Sequence, residues 1–120
     1  MQEIDIFNTT CPTRFALSTI SGKWGLLIIL ALANHPLRFS ELVRHIGGIS
    51  ERMASQTLKY LERYGVVRRH VVQHATPPQV EYALTPLGRQ FVKPLQQLVT
   101  LVNTNADVMV YERDRVHTRA

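Results

Sequence analysis

Cysteine and long apolar runs are the two features this chain has least of. One cysteine in 120 residues cannot close an internal disulfide, which excludes the stapled scaffolds of small secreted domains. The longest uninterrupted apolar stretch, residues 26–33, is far short of the roughly 20 residues needed to cross a bilayer, so no membrane partner is expected. Acids are also scarce, 9 against 14 Lys and Arg. No repeat, low-complexity tract or interdomain linker breaks the chain, and its first ten residues hold Glu3 and Asp5 without the basic start of a secretory leader. What is present is a 45% hydrophobic fraction, which suits a packed globular protein and excludes wholesale disorder. The expectation is a single basic, cytoplasmic domain spanning residues 1–120.

The excess charge is localised. Residues 1–37 balance Arg14 and Lys23 against Glu3 and Asp5. Residues 38–69 set Arg38, Arg44, Arg52, Lys59, Arg63, Arg68 and Arg69 against Glu41, Glu51 and Glu62. The remainder, residues 70–120, adds one net positive charge. Clustered positive charge is the footprint of a polyanion partner, because each neutralised phosphate releases condensed counterions. A solvated face with no partner is the alternative reading.

Cys11-Pro12 reads as a helix entry, with proline at a first-turn position where its missing N–H costs little. A helix over 13–20 breaks at Ser21-Gly22. A second, apolar almost all round, is predicted over 23–33 as the buried centre of the fold. Residues 37–39 are short and extended. Ser40 is the expected N-cap of a helix reaching Ile46, which Gly47-Gly48 stops. Ser50 caps the next helix, over 50–64, closed by Gly65. Two strand-like runs, 66–72 and 80–84, are joined by a polar loop containing Pro77-Pro78. Thr85 caps one long final helix with an apolar stripe of Leu87, Phe91, Leu95, Leu98 and Val102, and the tail from Tyr111 is expected to fray. The fold class is therefore mainly α with a small β-hairpin. Two short helices meeting at a glycine turn and followed by a hairpin form a winged helix-turn-helix pattern.

At about 100° per residue, the 50–64 helix turns Met53, Ala54, Thr57, Leu58, Leu61 and Tyr64 to one side. Arg52, Ser55, Gln56, Lys59 and Arg63 share an arc of roughly 100° on the other. A major groove admits one helix, and its base edges pair with Arg, Lys and Gln. Residues near the helix start reach base edges first, so Ser50, Arg52, Ser55 and Gln56 are the base-reading candidates. Lys59 and Arg63 are assigned to phosphate, as are Arg38, Ser40, Arg68 and Arg69.

Several stretches together resemble the HxlR-type regulators, which are winged-helix proteins related to the MarR group. They are Cys11-Pro12, Gly22-Lys23-Trp24, Arg38-Phe39-Ser40-Glu41-Leu42, Gly48-Ile49-Ser50, Pro77-Pro78, Val80-Glu81-Tyr82 and Leu84-Thr85-Pro86-Leu87-Gly88. The resemblance covers roughly residues 10–100. It implies a homodimeric transcription factor, usually a repressor, on a near-palindromic operator in double-stranded DNA. It implies assembly through the first and last helices, where Leu95, Leu98 and Val102 are the candidates. It also implies a wing approaching the minor groove or backbone, with Gln73, His74, Thr76 and Gln79 as polar candidates. Ala54 stands where members often carry Leu, and Gln79 where many carry Arg.

Cys11 is expected at a helix start, where the macrodipole favours negative charge. Some members of the family sense oxidants, quinones or aldehydes through a cysteine at the matching site. Modification of the thiol, or an intersubunit disulfide, would then shift the dimer between DNA-competent and incompetent forms. A cysteine that only packs is the alternative. Five histidines, His35, His45, His70, His74 and His117, are scattered. His70 and His74 could share a strand face, but no third ligand joins them, so no metal or other cofactor is expected. No carboxylate pair, Ser/His/Asp set or Gly-rich phosphate loop suggests an enzyme. Two other functions fit the same residues: a winged-helix module docking an acidic protein partner, and a regulator with a small-molecule ligand between the dimer helices. The effector itself is unknown.

Overall fold

Gly22 makes the first bend of the chain. The computed structural model describes residues 4–118; Glu3, Arg119 and the side chain of His117 lie outside the described residues. Helix α1 (Pro12–Ser21) has Cys11 as its N-cap and Pro12 in its first turn. It closes when the Gly22 N–H donates to the Ser18 carbonyl at 3.0 Å, and α2 (Lys23–Ala31) departs at 65°. The crossing is close because Gly25 has no side chain: a Cβ there would fall on the Thr19 carbonyl. Ile28 and Ile29 of α2 are fully buried. The helix ends slightly short of residue 33, with Leu32 as its C-cap.

Strand β1 (Leu37–Arg38) leads directly into α3 (Phe39–His45). Ser40 is not the cap. The extended residue before the helix is Arg38, and its N–H donates to the Glu41 carboxylate at 2.9 Å. Pairing of Arg38 with Glu81 in the sheet holds that residue extended, which puts the helix start two residues upstream of the expected position. Gly48 turns the chain with φ +84°, a conformation costly for residues with a Cβ. Helix α4 (Glu51–Arg63) follows, and Ser50 Oγ accepts the Met53 N–H at 3.0 Å. Its end is a Schellman motif at Gly65, φ +75°: Val66 N–H reaches the Leu61 carbonyl and Gly65 N–H that of Glu62.

Ala54, Leu58 and Leu61 form the inner face of α4. Full burial of each leucine is worth about 1.5–3 kcal/mol. Met53 and Tyr64, expected in the core, lie instead on the rim, 38% and 36% exposed. The covered stripe of a helix this short, packed on α2 and the sheet, is narrower than its apolar sector.

The hairpin strands β2 (Val67–Val72) and β3 (Gln79–Leu84) pair antiparallel, and β1 adds to the far edge of β3. Val67 opposite Leu84 and Leu37 opposite Tyr82 close the sheet onto the helices.

The single long final helix is replaced by three pieces: α5 (Pro86–Arg89), α6 (Val92–Thr104) and α7 (Ala106–Thr118). Pro94 explains the first break. Inside a continuous helix it would lack an N–H for, and clash with, the Gln90 carbonyl; restarting at Val92 places it in a first turn. The second break is at Asn105, whose side chain bonds back to the Leu101 carbonyl at 2.8 Å. The chain beyond Tyr111, expected to fray, continues as helix to Thr118. The Cα radius of gyration is 17.2 Å, against about 13.6 Å for a compact domain of this length. Among the described residues no single helix is long and apolar enough to cross a membrane.

Candidate nucleic-acid interface

The outward side of α4 is built by the same wheel that buries Leu58 and Leu61. Ser50, Arg52, Ser55, Gln56, Lys59 and Arg63 are all exposed. Arg52, Gln56 and Arg63 fall within roughly 40° of one another at 100° per residue. Among the described residues none of Arg52, Lys59 and Arg63 forms an ion pair, so their charge is uncompensated. Glu51 and Glu62 sit on one flank of this ridge. The other flank is apolar and aromatic, made by Tyr60, Met53 and Tyr64. The Arg63 guanidinium lies over the Tyr60 ring, 5.6 Å from its centre, a contact that steadies a long cation without neutralising it. Tyr60 had no assignment from sequence, although the angular count already placed it between Gln56 and Met53.

The expected phosphate contacts outside α4 are less uniform. Ser40 is exposed on the first turn of α3. Arg38 is 46% exposed on its side chain but engaged: its Nε lies 3.3 Å from Glu41, and its Nη1 donates to Gln79 at 2.9 Å. The titration of Glu41 is displaced downward. Acceptance of the Arg38 backbone N–H holds its carboxyl below the ordinary range, and the Arg38 charge adds to this. Arg68 and Arg69 are both exposed, but successive strand residues point to opposite faces. Arg69 shares the face of the buried Tyr82, its register partner, while Arg68 lies opposite Ala83 on the other. They are not one basic site.

Gln73, His74 and Thr76 are exposed in the hairpin loop. Gln79, grouped with them from sequence, is the first residue of β3, half-buried and bonded to Arg38. His74 lies past the end of β2, so it does not share a strand face with His70. No group of three or more His, Cys, Asp or Glu positioned for a metal occurs among the described residues.

The candidate dimer residues also separate. Leu95 is 7% exposed and belongs to the subunit's own core. Leu98 and Val102 face outward, with Val99 and Leu101 beside them and Phe15 and Leu17 on α1. Cys11 is partly exposed at the head of α1, and its N–H donates to the Asn8 carbonyl.

Comparison with known proteins gives a consistent picture. Residues 19–109 match the family described as HxlR-like helix-turn-helix. The HTH-type transcriptional regulator YtfH of Escherichia coli is 39% identical over 114 residues, covering 95% of this chain and 90% of that protein. The solved structure of the transcriptional regulator ytfH from Salmonella typhimurium superposes with a TM-score of 0.85 at 38% identity, over 93% of this chain and 99% of that one. The structure of diamide-treated YodB from Bacillus subtilis is similar at a TM-score of 0.66 and 33% identity, over 81% and 96% of the two chains.

Proposed function

Because the chain belongs to the HxlR-like helix-turn-helix family of transcriptional regulators, we propose that it binds a near-palindromic operator as a homodimer, with α4 in the major groove. One observation carries the reading: α4 buries Ala54, Leu58 and Leu61 while leaving Arg52, Gln56, Lys59 and Arg63 exposed, the three cations without an ion pair among the described residues. In this reading Ser50, Arg52, Ser55 and Gln56 meet base edges, and Lys59, Arg63, Arg68 and Ser40 meet phosphate. Arg38 acts at the same boundary while holding the wing. The whole chain forms one DNA-binding domain, and the outward apolar faces of α1, α6 and α7 join two copies. That pairing would place two α4 helices about one turn of DNA apart. The elongated shape supports it, since α6 and α7 expose apolar surface that a lone subunit leaves uncovered. Repression is the mode implied by the resemblance.

The test is recovery of bound fragments from random DNA. A two-fold-related motif in the recovered pool supports the reading. Binding without any sequence enrichment, or binding only to an acidic protein, overturns it.

A thiol-responsive form of the same reading is favoured by the partly exposed Cys11 at the head of α1 and by the likeness to YodB, whose structure was determined after diamide treatment. Release of the operator by diamide in wild type and not in Cys11→Ser is the expected result. Equal release from both assigns Cys11 to packing alone.

A further inference from the structure

We propose that the elbow between α1 and α2 is a second DNA contact, in which Lys23 takes a backbone phosphate beside the bases that Gln56 reads. The inference rests on the DNA reading above and extends it to a residue outside the helix-turn-helix.

A trench of about 270 Å³ runs between the elbow and α4. Lys23 and Trp24 line one side, Gln56 and Tyr60 the other, with Thr19 and Thr57 between. The elbow side carries a cation laid on an aromatic ring, and the Tyr60 ring of the other side holds Arg63 just outside the lining. The Lys23 ammonium is 4.4 Å from the centre of the Trp24 ring, and Arg63 leans on Tyr60. Neither cation has an ion pair among the described residues, and α2 has no acid in its first turn. The two cations are therefore left to interact with an incoming anion, and the ring contacts partly order them before any ligand arrives.

The shape favours a strand over a small molecule. Small-ligand sites bury most of their occupant, whereas this trench is open to solvent along its length. A polyanionic backbone suits an open channel with Lys23 on one wall and Arg63 beside the other. Continuity supplies the placement: Gln56 belongs both to the trench and to the outward ridge of α4, so a duplex seated on the ridge brings one strand over Lys23. Residues 1–37 carry no net charge, and Lys23 gains its significance only when the elbow packs against α4.

Trp24 is the only tryptophan, so its emission reports from the trench itself. In the full chain, addition of a random-sequence duplex should change that emission. Lys23→Gln should reduce the slope of log affinity against log salt by about one per subunit, or about two for the dimer. A step from 50 to 200 mM salt then costs the wild-type dimer about 12-fold more affinity than the variant. Lys23→Arg should restore the slope. If wild type binds with strong salt dependence and Lys23→Gln keeps the same slope, the elbow is no contact and the inference falls, while the α4 reading stands. If wild type binds no DNA, both fall. An emission change with a small aromatic acid and none with duplex would assign the trench to an effector and overturn the proposal.

Discussion

Arg38 donates through Nη1 to the side-chain oxygen of Gln79 at 2.9 Å, joining residues 41 positions apart in sequence. The same guanidinium lies 3.3 Å from Glu41. One side chain thus ties the start of α3 to the neck of the hairpin, and the wing is held relative to the helix-turn-helix by polar contacts as well as by strand pairing. Where Arg follows the Pro-Pro pair in the resembling family, a second cation would face Arg38; Gln79 here makes an acceptor available instead.

Glu41 gives that junction a pH dependence. Its carboxyl titrates below the ordinary value of 4.5, first because it accepts the Arg38 N–H and then because of the Arg38 charge. A carboxyl with a lowered folded-state value contributes stability that is complete above the unfolded value and disappears as pH falls through the folded one. Glu41→Gln should therefore be less stable than wild type at neutral pH, with the difference closing below about pH 4. Urea midpoints of both proteins across that range are the measurement.

Base reading and backbone contact predict different losses. Arg52→Ala and Gln56→Ala should lower discrimination between the selected operator and its single-base variants by roughly 5- to 150-fold, the range of one good bidentate pair. Lys59→Ala should weaken selected and random DNA alike and reduce the salt slope by about one per subunit. Equal losses on both DNAs for all three variants would reject the base-reading assignment.

The dimer surface can be separated from the core. Leu98→Glu combined with Val102→Glu places charge on outward positions of α6. Sedimentation should show a monomer whose circular dichroism matches wild type and whose operator affinity is lost. An intact dimer would move the interface elsewhere. Leu95→Ala should instead destabilise the subunit, by about 2–5 kcal/mol, as a buried leucine does.

Gly88 has no space for a side chain, since a Cβ would meet the Val66 carbonyl, which itself accepts the Thr85 N–H at 3.1 Å. Gly88→Ala should cost about 1–3 kcal/mol and lower Tm by roughly 5–15 °C. A thermal melt unchanged from wild type would show that α5 can shift freely over β2.

Local chemistry was legible where its cause is local. Pro12 at a helix start, Ser50 as a cap and Gly65 as a left-handed stop each act within one or two turns of their own residue, and all three appear in the structure as read. The cationic side of α4 was legible for the same reason, because helical periodicity depends on spacing alone. Cues that required weighing one local rule against another were misread. Pro94 sits in an unbroken apolar stripe, and the stripe suggested one helix where the missing N–H demands two.

Spacing, caps and charge placement in the sequence determined that a helix over residues 51–63 would exist and would carry its cations on one side, since these follow from the geometry of a single helix. Only the tertiary structure decided how wide its buried stripe is, that Leu95 turns inward while Leu98 and Val102 do not, and that Lys23 stands across a trench from Gln56. Those outcomes depend on which surfaces remain uncovered after elements distant in sequence have packed, and no periodicity within one segment encodes that.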